Sequence, residues 1–243
     1  PSGRFFGDFL IGEKVTRGLG RSAQKVGAGT TVPQNSPGVW GTAPKSGNGF
    51  RQRKKKAVFL LLPFILSRGV PTPKYSTNGI FEFDQARALK QAGCNVVFLA
   101  LDLRSVRRTR PWGFQSFEKD GVPVRVLSVP LGNIPKQIFY PLGQWAFGLL
   151  YRRAVREFGR PDVLHAHFTD YGYLACPLAR REQLPLVLTE HSSLVNQETL
   201  PKDIEQAAKT AFTQADTLIA VSPALAHHME QHSGRHVEWI SDM

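Results

Sequence analysis

The stretch Pro161–Ser193, PDVLHAHFTDYGYLACPLARREQLPLVLTEHSS, decides the fold of this chain. It contains two short apolar runs, Val163–Ala166 and Leu186–Thr189, separated by a segment long enough for a helix. Two buried strands joined by a helical crossover form a βαβ unit, in which the two strands are parallel. The stretch therefore predicts a parallel sheet.

Polar side chains stand at the end of each apolar run. His165 and His167 close the first run, and Glu190 and His191 follow the second. In open parallel sheets, ligands bind at the carboxyl ends of the strands. A single histidine is most often an ordinary core or surface residue, but three histidines and a glutamate at matching strand ends favour a binding site.

The alternation of apolar runs and helical patterns continues on both sides of this stretch. Predicted strands are Ala57–Pro63, Asn95–Leu101, Thr217–Val221 and Val237–Ile240, and predicted helices are Ile80–Ala92, Pro135–Phe158, Lys202–Gln214 and Ala224–Gln231. Gly113–Glu118 and Val122–Val129 flank Asp120-Gly121, which is typical of a type I′ hairpin turn. The pattern predicts an α/β domain with a Rossmann-like, doubly wound and mostly parallel sheet over residues 57–243.

Residues 1–56 differ from the rest in composition. They hold eleven of the 22 glycines, and eleven Lys and Arg residues against only Asp8 and Glu13. A segment with so few large apolar groups cannot offset its ordering entropy, so a disordered basic tail is predicted, with a linker or a remnant of another unit as alternatives. Because most of the net charge of +12 lies there, no specific nucleic-acid binding is expected from the domain.

The two cysteines, Cys94 and Cys176, have no CxxC spacing, which favours a reduced, cytoplasmic protein. No signal peptide is recognised, and no apolar run approaches the roughly 20 residues of a membrane span. The expected location is the cytoplasm, with peripheral contact at the inner face of the cell membrane left open.

Several blocks of the sequence, taken in order, resemble family 4 glycosyltransferases: NGIFEFDQARALKQAGCNVVFLALD from Asn78, PDVLHAH, LPLVLTEHS, QADTLIAVSP and the ending VEWISDM. The resemblance covers about residues 57–243. It implies the N-terminal, acceptor-side half of a GT-B fold, in which a second Rossmann-like domain holds most of the sugar-nucleotide donor.

The implied activity is transfer of a sugar from a nucleotide-sugar to a glycan or lipid-linked acceptor, as in polysaccharide biosynthesis. The resemblance also implies a retaining reaction without a metal, with the nucleotide-sugar as co-substrate and no further cofactor. Because the donor-side motifs are not in this sequence, a chain of these residues alone is expected to be inactive.

The resemblance assigns roles to individual residues. Gly79 matches the family's glycine before the first helix and, with Asn78, is expected to bind the donor diphosphate through backbone N–H groups at the helix N-terminus. His191 matches the family's histidine and is the predicted catalytic residue, with an orienting or polarising role.

Further residues are assigned to acceptor or sugar binding. His167, Glu190 and Ser192 form this group, with His167 rather than His165 facing the cleft. Glu190 is either a partner of the imidazole or an exposed charge at the strand end. Ser222 is expected to cap the helix that follows Pro223.

Basic residues mark two further regions. Arg104, Arg107, Arg108 and Arg110 form a basic loop, and the helix over residues 135–158 is first apolar and aromatic, then basic. Both fit contact with an anionic, lipid-linked acceptor at a membrane surface, or alternatively a solvated loop and a helix with a core-facing stripe.

Two other functions remain open at this point. The strand-spaced pair His165 and His167 with His191 resembles a metal-ligand set, which would fit a metal-dependent hydrolase. The domain is alternatively a non-catalytic half that binds a glycan or a partner subunit.

Overall fold

The elements of secondary structure follow the predicted alternation. The computed structural model describes residues 61–104, 111–132 and 134–241. The strands are β1 Pro63–Ser67, β2 Val97–Asp102, β3 Gly113–Lys119, β4 Val122–Ser128, β5 Val163–His167, β6 Leu186–Glu190, β7 Thr217–Ala220 and β8 Glu238–Trp239. The helices are α1 Ile80–Gln91, α2 Lys136–Phe158, α3 Thr169–Glu182, α4 Lys202–Gln214 and α5 Pro223–Ser233. The predicted basic tail, residues 1–56, lies outside the described residues.

The eight strands form one sheet in the order β3-β4-β2-β1-β5-β6-β7-β8. All neighbouring strands are parallel except β3, which pairs antiparallel with β4. The chain builds outward from β1 in one direction and then returns to build outward from β5 in the other. The doubly wound sheet is thus confirmed, and its topological switch point lies between β1 and β5, where such folds bind ligands.

The strands at the centre of the sheet are buried on both faces. In β1, Phe64 and Leu66 pack into one core cluster, and Ile65 packs into the other, as the strand period of two requires. Helix α1 supplies Phe83 and Leu89 to the second cluster, whereas α2 to α5 cover the opposite face. This two-sided burial explains why the strands read as continuous apolar runs.

The hairpin is confirmed by its backbone. Asp120 and Gly121 have φ angles of 49° and 75°, and both lie between the paired residues Lys119 and Val122. Positive φ at both central positions is what a type I′ turn demands.

The predicted bounds of β1 are wrong over the described residues, since Leu61 and Leu62 precede the strand; Ala57–Leu60 lie outside the described residues. The strand begins at Pro63, where the prediction ended it, and runs to Ser67. The apolar run continues through the proline, so the sequence offers no boundary there. A proline is compatible with the first residue of a strand because its missing N–H is not needed at that position.

Strands β5 and β6 also extend one residue beyond the predicted ends, to His167 and Glu190. Both polar residues are therefore part of the buried sheet. His167 and Glu190 are therefore fully buried residues of the strands and not residues of the following loops.

Candidate functional site

The predicted site residues converge at the carboxyl edge of the sheet, around the switch point. His167 ends β5, Glu190 ends β6, and His191 and Ser192 follow directly. Gly79 is the N-cap of α1, on the same edge. The ring of Phe81, in the first turn of α1, stacks on the ring of His191 with centroids 6.2 Å apart. This contact brings the predicted diphosphate-binding turn and the predicted catalytic histidine together.

The three histidines form a stacked array. The rings of His165 and His167 have centroids 4.4 Å apart, and those of His167 and His191 are 5.3 Å apart. Nδ1 of His167 lies 3.0 Å from Nε2 of His191, and Nε2 of His165 lies 2.8 Å from Oγ1 of Thr189. The ring of His191 therefore packs on His167, which fixes its orientation from the side of the sheet.

Burial keeps the two inner imidazoles neutral. Desolvation lowers the pKa of His165 to about 3, and nearby His191 adds to the effect. Desolvation, with His165 and His191, also lowers the pKa of His167 well below its usual value. Both side chains are fully buried, so the expectation that His167 faces the cleft is wrong. His167 contacts His191 instead, and its part in acceptor binding stays a prediction.

Glu190 is neither an exposed charge nor at the cleft surface. Its side chain is fully buried, and one carboxylate oxygen accepts hydrogen bonds from the N–H and the hydroxyl of Thr169. The other oxygen accepts from the N–H groups of His191 and Ser192, at 2.9 and 2.8 Å. Burial raises the pKa of Glu190, and the hydrogen bonds from Thr169, Ser192 and His191 oppose that increase. The carboxylate thus joins the loop after β6 to the first turn of α3.

Ser192 lies in that loop and is half-buried. Its hydroxyl accepts a hydrogen bond from the N–H of Leu194 at 3.0 Å, which makes a local turn after the strand. The loop therefore has two supports, the carboxylate of Glu190 and this turn. Ser192 remains a predicted sugar-binding residue.

The turn before α1 requires glycine for two reasons. Gly79 has a φ of 72°, and a Cβ at this position would lie 2.3 Å from the carbonyl oxygen of Gly69. The space beside Gly79 is thus filled by the loop after β1. In the first turn of α1, Glu82 is buried and accepts a hydrogen bond from the hydroxyl of Ser67 at 3.1 Å. The N-terminal N–H groups of α1 remain the feature that suits a diphosphate.

Asn78 is held by Arg104, a residue of the predicted basic loop. The guanidinium of Arg104 donates to the amide oxygen of Asn78 at 2.6 Å and forms two hydrogen bonds of 2.8 Å with the carboxylate of Asp102. Arg104 is therefore not a free basic residue but the link between the end of β2 and the turn before α1. Arg107, Arg108 and Arg110 lie outside the described residues.

Two residues of the site were missed. Phe168 has φ 69° and ψ 146°, a conformation that costs free energy for a bulky residue. Its ring lies 5.1 Å from the ring of His191, and the guanidinium of Arg68 stacks over it at 4.1 Å. An aromatic residue placed directly between a strand and its helix is the one sequence signal for Phe168. For Arg68 there is none, because its partner lies 100 residues away.

Ser222 caps α5, as predicted, by accepting a hydrogen bond from the N–H of Leu225 at 3.2 Å. Among the described residues, no group of three or more His, Cys, Asp or Glu side chains is arranged to hold a metal ion. No helix in the same part of the chain combines the length and the apolarity that a membrane crossing needs.

The model of glycosyltransferase family 4 matches residues 83–241 of the sequence. No curated protein sequence gives a significant match. Among solved structures, sucrose-phosphate synthase of Thermosynechococcus elongatus aligns with a TM-score of 0.55 and 16% identity, covering 74% of this chain and 48% of that one. A second structure of that synthase gives a TM-score of 0.52 at 16% identity, covering 75% of this chain and 89% of the other.

A third similar structure is HepE of Anabaena in complex with UDP-glucose, with a TM-score of 0.48, 17% identity, and 75% and 44% coverage. At these identities, the synthase structures establish a shared fold alone. The chain spans about half the length of the first synthase structure it matches.

Proposed function

Because this chain belongs to glycosyltransferase family 4, we propose that it forms the acceptor-side domain of an enzyme that transfers a sugar from a nucleotide-sugar to a glycan or a lipid-linked acceptor. The chain has the fold of a GT-B N-terminal domain, so the proposal includes a second domain that holds most of the donor. The observation that carries it is the contact between His191 and Phe81, which places the predicted catalytic residue beside the N-terminus of α1.

The chemistry follows from the charge that develops. The acceptor hydroxyl oxygen bonds to the anomeric carbon of the donor as the bond to the diphosphate oxygen breaks, and that oxygen keeps the electron pair. The hydroxyl proton passes to the departing diphosphate. Fixed positive groups aimed at the leaving group lower the barrier most. In this proposal the positive groups are the N-terminus of α1 with the turn at Gly79, and the half-exposed guanidinium of Arg68, whose Nε lies 3.9 Å from the carboxylate of Glu82.

We assign His191 an orienting role toward sugar hydroxyls rather than the role of general base. Its Nε2 lies within hydrogen-bond distance of a buried, neutral His167, and its ring is flanked by Phe81 and Phe168. Such fixation suits a group that must hold one orientation. In this proposal the reaction is retaining, needs no metal and uses the nucleotide-sugar as its only co-substrate.

The rival functions differ in what supports them. The family assignment replaces the hydrolase hypothesis, in which His165, His167 and His191 would have been metal ligands. A nucleic-acid-binding function would rest on the excess of basic charge, and most of that excess belongs to residues 1–56. Residues 57–243 contain twenty Lys and Arg residues and seventeen acidic residues, so their charge is nearly balanced. A domain that binds a glycan or a partner without catalysis is the remaining rival.

A membrane contact is the second part of the proposal, supported by the outer face of α2. Ile138, Leu142 and Trp145 lie on one stripe of this helix and are 54%, 41% and 61% exposed. The stripe continues into the exposed Arg152 and Arg156. An apolar surface followed by cations fits an anionic bilayer, here at the cytoplasmic face, which would present a lipid-linked acceptor.

The experiment that tests the transferase function uses the whole protein that carries this domain, a panel of nucleotide-sugars, and glycan and polyprenyl-phosphate acceptors. We expect release of nucleoside diphosphate coupled to sugar incorporation. His191→Ala should lower kcat/KM by about 100-fold, as loss of one transition-state contact does. The matched control is His227→Ala, an exposed histidine on α5, which should leave the rate unchanged. Equal rates for both variants, or binding without transfer, would contradict the proposal.

The membrane contact is tested by co-sedimentation with vesicles containing phosphatidylglycerol. The triple variant of Ile138, Leu142 and Trp145 to Ser should lose most of its binding, and added salt should weaken the binding of the unmodified protein. Binding that is unchanged in the triple variant would refute the contact.

A further inference from the structure

A second concave feature lies on the same edge of the sheet as the histidine array. It is a cavity of about 710 Å³ between the first turns of α2 and α4 and the body of α3. Its chemistry-bearing residues are Lys136, Tyr140, Tyr173, Lys202, Asp203 and Gln206. The predicted site residues do not line it. The cavity lies within the size range of small-molecule sites, about 300 to 1,000 Å³.

Aromatic surface forms one side of the cavity. The rings of Tyr140 and Tyr173 have centroids 4.5 Å apart and are tilted by 56° to each other. Tyr140 is buried and Tyr173 is half-buried, so the ring of Tyr173 is the more accessible of the two. The apolar C–H face of a pyranose ring packs on an aromatic face of this kind.

The polar groups on this side are already fixed. The carboxylate of Asp170 accepts hydrogen bonds from the hydroxyl of Tyr140 and from Nζ of Lys136, both at 2.7 Å. Nζ of Lys136 also lies 5.2 Å from the ring centroid of Tyr140. These contacts hold the ammonium group of Lys136 and the ring of Tyr140 in place before a ligand arrives, which lowers the entropy cost of binding.

The opposite side is polar and solvent-exposed. Lys202, Asp203 and Gln206 come from the first turns of α4 and together offer donors and acceptors of both charge signs. A lipid chain would leave these groups without hydrogen-bond partners. Lys136 is already paired with Asp170, and the carboxylate of Asp203 lies beside Lys202 in the lining, so little net positive charge is left for a highly anionic ligand. A neutral ligand with an apolar face and many hydroxyls, namely a sugar, suits both sides.

Hydrogen bonds from two adjacent residues of α3 connect the cavity with the histidine array. Thr169 donates two hydrogen bonds to Glu190, which holds the loop of His191, and the next residue, Asp170, holds Lys136 and Tyr140. Two successive residues of one helical turn therefore fix the reactive edge and the cavity.

We propose that this cavity is a glycan subsite, which takes a sugar unit of the acceptor one or more residues away from the unit that reacts beside His191. The inference rests on the proposed transferase function and deepens it. The natural acceptor is then an oligosaccharide or a lipid-linked oligosaccharide, and Tyr173 and Gln206 help to select its length.

The test begins with direct binding. The protein is applied to an array of mono- to hexasaccharides, and captured glycans are measured by calorimetry. Tyr173→Ala should weaken binding of the captured oligosaccharide by at least about fivefold, the effect expected from loss of one aromatic stacking contact. Gln206→Ala should weaken it by a smaller factor, and Gln231→Ala, an exposed glutamine on α5, should not change it.

Because Tyr173 is half-buried, thermal unfolding checks the fold of its variant, and Gln206→Ala serves as the fold-neutral second variant. Capture of oligosaccharides in preference to monosaccharides, weakened by both variants, supports the subsite. No captured oligosaccharide, or equal affinity in all variants, overturns it.

Kinetics of the whole protein distinguish failure of the glycan subsite from failure of the transferase function. Transfer to an oligosaccharide with a KM that Tyr173→Ala and Gln206→Ala leave unchanged would overturn the subsite while the transferase function stands. Binding that both variants weaken, in a protein that transfers no sugar, would leave a glycan-binding site and overturn the transferase function.

Discussion

Two neighbouring residues in the first turn of α3 contact different regions: Thr169 bonds to Glu190 beneath the histidine array, and Asp170 bonds to Lys136 and Tyr140 beside the cavity. On the side of Thr169, the side chains of Glu190 and His167 are fully buried, and the Glu190 carboxylate accepts hydrogen bonds from Thr169, His191 and Ser192. On the side of Asp170, the hydrogen bonds are as short, but they border an open cavity. A dry, rigid array suits a group that must keep one orientation during a reaction. An open, preformed cavity suits recognition, because its groups must still exchange water for ligand.

The contrast predicts that substitutions on the buried side cost mainly stability, whereas those at the cavity cost mainly ligand binding. The largest effect is expected for Glu190→Ala, which leaves three N–H groups and the hydroxyl of Thr169 without their acceptor. We expect a loss of about 3 to 5 kcal/mol in the free energy of unfolding. Urea unfolding followed by circular dichroism measures it.

The control for this variant is Glu118→Ala, an exposed carboxylate on the edge strand β3, whose unfolding midpoint should stay within experimental error. If Glu190→Ala is no less stable than the control, the carboxylate does not hold the loop of His191. The contrast between the two sides of α3 would then fail.

The next effect concerns the turn before α1, which is joined to the histidine array by the ring contact between Phe81 and His191. In Gly79→Ala, the alanine must adopt a φ of 72°, and its Cβ would lie 2.3 Å from the carbonyl oxygen of Gly69. Gly93→Ala meets a φ of 95° with no atom within 4 Å. We expect losses of about 3 kcal/mol for Gly79→Ala and about 1 kcal/mol for Gly93→Ala.

Thermal unfolding of the two alanine variants separates steric overlap from backbone strain. Equal losses would mean that the loop after β1 yields to the added methyl group. The turn at Gly79 would then be softer than the packing against Gly69 indicates.

A further stability effect is expected in the pH dependence of the histidine array. The unfolded chain protonates His165 near its ordinary pKa of about 6.5, whereas the folded protein resists protonation until about pH 3. Stability contributed by neutral His165 is therefore complete above pH 6.5 and is lost as the pH falls toward 3. Within this window the slope should be up to about 1.4 kcal/mol per pH unit for this residue.

His165→Leu removes the titrating group, so its free energy of unfolding should fall less steeply with decreasing pH than that of the unmodified protein. Urea unfolding at a series of pH values between 3 and 7 measures the difference. His227→Leu, in the exposed part of α5, should keep the original slope. Parallel curves for both variants would show that His165 is accessible to protons in the folded state.

Prediction from sequence succeeded where the signal is local. The apolar runs of β2, β5 and β6, the Asp120-Gly121 turn and the cap at Ser222 each depend on neighbours in the chain, and each is present. The end of β1 was misplaced because an apolar run that passes through Pro63 contains no local boundary. Sequence reasoning also found that His191 follows β6 at the carboxyl edge of the sheet.

The sequence by itself determined a doubly wound sheet and the edge at which its histidines stand, since hydrophobic periodicity and turn chemistry act over a few residues. Tertiary structure alone decided that Glu190 is buried beneath the loop it supports, and that His167 lies under His191. It also decided that Asp170 joins residues 30 and 34 positions away to frame a cavity. Burial and partner choice of a polar group depend on residues that only the folded sheet brings together, and no local pattern specifies them.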